Sequence, residues 1–222
     1  MQKWIWLLLL LCSPALRAIA QPIDPAPKFI AKLGALSLLD PVLPSVNLIG
    51  EFQIRGPWYG QLEAGVMLNV DDWVEGLNTR DKSGFRLRPA LRYYYQEQRK
   101  RYFMELMFVY RQVEMDITAD FWISPETGFS YYRRLSYTVN SRKVSAFFNI
   151  GIFDYTLNDR LVIELGLGLG AAIQDNEYDG IPEDASIRRT SIIRAYEPDF
   201  VTTVADLRAT GMLYLNFGYA LY

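Results

Sequence analysis

The chain has 222 residues, a formal net charge of −2, no histidine and one cysteine. That mild acidity argues against nucleic acid as a partner. The missing histidine removes the usual general base of hydrolases and acyltransferases and a common zinc ligand. The length suits one domain.

Residues 1–20 have the form of a secretory signal: Lys3 as the positive start, an apolar run over 4–11, and Ala18-Ile19-Ala20 as a small-x-small cleavage site. The run is shorter than the roughly 20 residues a membrane helix needs. Cys12 lies inside this leader, and the leucines before it lack the small residue a lipoprotein signal requires. The mature chain, 21–222, is then free of cysteine, and losing Lys3 and Arg17 moves its charge from −2 to −4.

After a proline-bearing stretch, residues 28–38 alternate as a first strand, with Phe29, Ala31 and Leu33 opposite Ile30, Lys32 and Gly34. Residues 40–44 break it. Residues 45–54 set Val46, Leu48, Gly50, Phe52 and Ile54 against Asn47, Ile49, Glu51 and Gln53. Arg55-Gly56-Pro57-Trp58 is a tight turn. Residues 59–70 set Leu62, Ala64 and Val66 against Gln61, Glu63 and Gly65. A polar connection is expected over 71–83.

Residues 84–96 place Phe85, Leu87, Pro89, Leu91, Tyr93 and Tyr95 on one face and Arg86, Arg88, Arg92 and Tyr94 on the other. After a short polar turn, 103–111 set Met104, Leu106, Phe108 and Tyr110 against Glu105 and Arg111. From Met115 to about Arg142 the composition is mixed and reads as a long connection. Residues 143–154, 161–171 and 211–222 complete the set, the last two with charge-free faces Leu161/Ile163/Leu165/Leu167/Leu169 and Leu213/Leu215/Phe217/Tyr219/Leu221.

Strict alternation puts the two residue sets on opposite faces of each strand. About eight strands of roughly ten residues, with connections alternating short and long, predict an all-β, eight-stranded antiparallel transmembrane barrel running as an up-and-down meander. Its apolar face meets lipid, its charged face points inward, and both termini lie on the periplasmic side. An exported chain without a membrane helix has two choices, a secreted soluble domain or an outer-membrane barrel. A lipocalin-like ligand-binding barrel needs the reverse polarity, an apolar inside and a polar outside.

Val46-Asn47-Leu48-Ile49-Gly50-Glu51-Phe52 and Leu165-Gly166-Leu167-Gly168 resemble a family of small outer-membrane barrels from Bacteroidetes-type bacteria, of unknown function. The resemblance implies a barrel of the general OmpA/OmpX type and brings no catalytic residues. Some relatives carry a peptidoglycan-binding domain after the barrel, and none is expected here. The ending matches the outer-membrane insertion signal in its terminal aromatic residue but not in the parity of its apolar face.

The expected interior charges are Lys32, Glu51, Glu63, Arg88, Arg92, Glu105, Arg111 and Glu164. An eight-stranded barrel has room inside only for side chains, so these groups should pair into a polar core that blocks a pore. A narrow channel along the pairs is the competing reading. No catalytic, cofactor or metal set is expected. Asp175-Asn176-Glu177-Tyr178-Asp179-Gly180 offers oxygen ligands without regular calcium-loop spacing. Trp122, Tyr131, Tyr132, Arg133 and Arg134 mix aromatics with cations in a predicted loop, as a bilayer girdle or a partner-binding surface would. Arg188, Arg189 and Arg194 are candidates for lipopolysaccharide phosphates. The expected partners are outer-membrane lipid, lipopolysaccharide and the barrel assembly machinery, with a protein partner of the loops unspecified.

Overall fold

The computed structural model describes residues 27–39, 43–70, 79–97, 100–123, 129–156, 160–180, 185–187 and 207–222. The proposed signal segment and Arg188, Arg189 and Arg194 lie outside them. The strands are β1 (Phe29–Gly34), β2 (Ser45–Arg55), β3 (Trp58–Met67), β4 (Thr79–Glu97), β5 (Lys100–Ile123), β6 (Tyr131–Thr156), β7 (Leu161–Asp179), β8 (Ala185–Ile187) and β9 (Leu207–Leu221).

Each strand pairs antiparallel with the next from β1 to β7, then β7 with β9 and β9 with β1. The ring of eight strands is therefore closed and has no exposed sheet edge over its paired length. The three-residue β8 stands outside the ring and pairs with the far end of β5, Phe121 to Ile187. The start of β1 and the end of β9 meet at one end of the barrel, where Lys28 N donates to Leu221 O at 3.0 Å. The β2–β3 turn lies at the same end, with Gly56 at φ 54°, a conformation that favours glycine.

The alternation carries through the strands of the ring. In β1 the odd positions are exposed and Ile30, Lys32 and Gly34 are buried. Outward leucines stay exposed, with Leu48 62% and Leu167 55% accessible, while inward Lys32, Glu51 and Glu164 are buried. This is the reverse of a water-soluble barrel. Pro89 faces outward on β4, and the β4–β5 ladder skips Arg88 and Pro89, where the ring nitrogen has no proton to donate.

Several strand boundaries depart from expectation, and β1, expected over 28–38, ends at Gly34. β4 begins at Thr79, inside the expected polar loop, and β9 begins at Leu207. Residues 116–123 and 131–142, read as part of a mixed connection, instead continue β5 and β6, paired out to Ile123 and Tyr131. Asp175 to Asp179 continue β7 along β6 rather than forming a loop.

The reason for the misreading is an inversion of polarity. Tyr110, Val144 and Ile173 are register partners across β5, β6 and β7 and end the outward apolar faces. Beyond them the outward row becomes Gln112, Arg142 and Asp175, then Glu114, Asn140 and Glu177. On the inner face the change is opposite. Val113, Met115, Phe121, Tyr137 and Val139 are buried there, and Met115, Phe121, Ile123, Tyr137 and Val139 form one apolar cluster. The parity persists while its sign flips.

Candidate functional site

Inside the ring, five of the expected charges come together. Lys32 of β1 donates to Glu51 of β2 at 2.5 Å and to Glu164 of β7. Arg92 of β4 is the hub. Its Nε donates to Glu105 of β5, and its Nη1 lies 3.1 Å from Glu51 Oε2 and 2.9 Å from Glu164 Oε2. All these side chains are 0% exposed.

Two cations face three carboxylates, and neutral donors supply the rest. Tyr94 OH donates to Glu51 Oε1 at 2.7 Å, and Asn149 Nδ2 of β6 to Glu105 Oε1 at 2.6 Å. Gln61 of β3 reaches Glu105 at 3.4 Å, and Asn216 of β9 reaches Glu164 at 3.3 Å. Every strand of the closed ring thus contributes at least one member. Burying such ions is costly unless they are paired and hydrogen-bonded, and these partners come together only once the ring has closed, with Arg92 Nη2 left without a hydrogen bond among the described residues.

Two asparagines use the same local device. Asn149 is the register partner of Gly168, and Asn47 of Gly65. A Cβ on either glycine would overlap the asparagine Oδ1. Each glycine therefore lets the asparagine side chain lie across the neighbouring strand, aiming its Nδ2 at a carboxylate. In the second case the carboxylate is Glu63, which accepts from Asn47 Nδ2 at 2.6 Å and Arg88 Nη1 at 2.8 Å.

Glu63 and Arg88 thus form a smaller pair apart from the Arg92 hub. Arg111 stands higher, half-buried, in register with Arg86 of β4 and Lys143 of β6. Sequence reasoning missed Tyr94, Asn47, Asn149, Asn216, Gln61 and Tyr214 as partners, although all lie on the inward parity. The available signal was an inward amide on one strand beside an inward carboxylate on the next.

An aromatic floor closes the interior towards the chain ends. Tyr59, Tyr94, Phe103, Phe153 and Tyr214 form one buried cluster. Tyr94 meets Tyr59 at 5.0 Å and Phe153 at 4.6 Å between ring centroids, both edge to face. The Arg92 guanidinium lies 4.5 Å over the Phe103 ring, joining floor to cluster by a cation–π contact. Met107, Val109 and Phe147 make a further buried apolar cluster within the ring.

The other candidate residues fall on strands, not on a loop. Trp122 pairs with Tyr132 and Ile123 with Tyr131 at the end of the β5–β6 hairpin. Tyr131, Tyr132, Arg133 and Arg134 are exposed there, next to Phe129 at 95% exposure. Asp175, Glu177 and Asp179 project outward along β7 at alternate positions, opposite Arg142, Asn140 and Thr138. Carboxylates spaced along an extended strand do not wrap a common centre.

A solved structure similar to this chain is a major outer membrane protein from Thermus thermophilus, at 15% identity and a TM-score of 0.41, covering 87% of this chain and 98% of that one. No protein-family model matches the chain. No curated protein matches it either.

Proposed function

We propose that this chain is a non-enzymatic outer-membrane barrel whose interior is a structural plug and whose interactions are made by the projecting β5–β6 hairpin. The observation that supports it most is Arg92, wholly buried and bonded to carboxylates from β2, β5 and β7 above an aromatic floor. Side chains that line a conducting path stay in contact with water, whereas these do not. The outward leucine and phenylalanine faces suit lipid, and their inversion beyond Tyr110, Val144 and Ile173 suits a membrane boundary.

On this reading lipid and lipopolysaccharide surround the apolar band, the assembly machinery inserts it, and a protein partner meets Phe129, Tyr131, Tyr132 and Arg133. The Bacteroidetes-type resemblance belongs to the same proposal. The test is outer-membrane fractionation, electrophoresis with and without boiling, and planar-bilayer recording on one preparation. A membrane-bound band that shifts on heating, with no reproducible conductance, is the expected result. Steady conductance altered by Glu105→Gln would favour the channel. A soluble protein without a heat shift would favour a ligand-binding barrel.

A further inference from the structure

Three cations stand together at the end of the barrel where β1 starts and β9 finishes. Arg160 precedes β7, Lys28 precedes β1 and Arg55 ends β2, and all three are exposed. Their strands are consecutive around the ring, in the order β7, β9, β1, β2. Among the described residues no exposed acidic side chain lies at that end of these four strands, and Glu51 and Glu164, further along them, are buried in the hub. A carboxylate at Tyr222 would offset one of the three charges. On the opposite side of the ring, Arg101 of β5 has Asp154 of β6 at 3.4 Å and adds no net charge.

The apolar band ends along the same arc in large exposed side chains, Phe29, Phe52, Trp58, Tyr219 and Leu221. Trp58 is the register partner of Arg55 and packs edge to face on Tyr93, with ring centroids 4.9 Å apart. Arg160 continues the inward parity of Val162 and Glu164, yet its Nη1 donates at 2.9 Å to the hydroxyl of Tyr219, an outward residue. The guanidinium is therefore held on the lipid-facing side of the rim. Cations beside aromatic rings at the edge of an apolar band suit the headgroup layer, where the ring stays half in hydrocarbon and the charge meets phosphate. The other edge of the band differs. Its first outward rows beyond Tyr110, Val144 and Ile173 hold Arg142 against Asp175, Glu114 and Glu177.

From this geometry we infer that the arc from β7 through β9 and β1 to β2 is a docking surface for anionic phospholipid headgroups, with Lys28, Arg55 and Arg160 as their counter-ions. A diacyl lipid gains two contacts there, its chains on Phe29, Phe52 and Leu221 and its phosphate on the cations, whereas a free anion gains only the second. The carboxylates beyond the other edge repel the same headgroup. The inference rests on the membrane reading proposed above and adds the charge of the lipid and the side of the barrel it occupies.

The test uses the full chain with Trp4, Trp6, Trp73 and Trp122 replaced by phenylalanine, so that Trp58 alone fluoresces as tryptophan. It is folded into vesicles of phosphatidylcholine and phosphatidylglycerol, with bromine on the acyl chains of one lipid or the other, and its heat shift is checked on the same sample. Brominated phosphatidylglycerol should quench Trp58 as a lipid enriched there about fivefold, the effect of one cation near an anionic headgroup. Arg55→Gln and Lys28→Gln should each bring the two lipids closer to equality. Sodium chloride at about 1 M, where the screening length falls to about 3 Å, should do the same. A reporter at the other edge, Tyr110→Trp combined with Trp58→Phe, should show no preference. Equal quenching of Trp58 by the two lipids, or the same preference at position 110, would overturn the surface. Inorganic phosphate that abolishes the preference at an ionic strength where chloride does not would overturn the lipid as its occupant. Absence of quenching by either lipid would instead count against the membrane reading. Should a substituted rim fail to give the heat shift, the salt series on the parent chain decides.

Discussion

Arg92 on β4 and Glu164 on β7 meet inside the barrel, 72 positions apart in sequence, with Nη1 2.9 Å from Oε2. Neither strand pairs with the other, so the contact exists only because the sheet has closed on itself. Replacing Arg92 by methionine leaves Glu51, Glu105 and Glu164 buried with one cation between them. Breaking a buried ion pair in this way costs about 3–5 kcal/mol. Refolding into lipid vesicles followed by a urea titration should show Arg92→Met unfolding at much lower urea than wild type, with Arg92→Lys between them. An unchanged midpoint would mean the cluster does not hold the ring.

Gly168 and Asn149 make a second measurable pair. Gly168→Ala forces the Asn149 amide away from the strand and off Glu105. A loss of about 1–3 kcal/mol is expected from overpacking at such a contact. In an Asn149→Ala background the same glycine change should cost far less, since the overlapping Oδ1 is gone. Additive effects in that double-mutant cycle would contradict the geometry.

The outward faces predict a dependence on depth. Leu167→Arg, in the middle of the apolar band, should cost about 2–4 kcal/mol of stability in vesicles. Glu114→Arg, on the outward face of β5 beyond Tyr110, should fall within about 0.5 kcal/mol of wild type. Equal effects at the two positions would place the membrane boundary wrongly.

Tyr137, on the inner face of the β5–β6 hairpin beyond the apolar band, has its phenol pKa raised above 10.0, chiefly by burial and secondarily by Tyr178. The folded hairpin therefore holds its proton more tightly than the unfolded chain. Stability from this group is complete below about pH 10, the unfolded value, and is lost as pH rises through the folded pKa. Absorbance titration near 295 nm should show late-ionising phenols in the wild type and one fewer of them in Tyr137→Phe. A late component of unchanged amplitude in that variant would contradict the assignment to Tyr137.

Much of this arrangement was legible in the sequence, and the parts that were not share a cause. The parity of Lys32, Glu51, Glu63, Arg92, Glu105 and Glu164 follows from alternation alone, because neighbours on a strand must face opposite ways. The ends of β5, β6 and β7 did not, since Met115 and Tyr137 turn inward there while Asp116 and Thr138 turn outward. A pattern sought as apolar-out fails when the surrounding medium changes. Which carboxylate meets which cation was also hidden, because it depends on the stagger between strands such as β4 and β7 that never pair. That β1 stops at Gly34 was fixed by no local signal, since Ala35 and Leu36 would extend a strand equally well.

The measurement that tests the central claim most directly uses the absence of cysteine from residues 13–222. Single cysteines at Leu48, Leu167 and Glu114, spin-labelled in vesicles, report contact with lipid-soluble oxygen against a water-soluble nickel complex. Labels at Leu48 and Leu167 should favour oxygen strongly, and the label at Glu114 should favour nickel. Labels at Leu48 and Leu167 that favour nickel would mean the leucine faces meet water, and the inside-out barrel would be wrong.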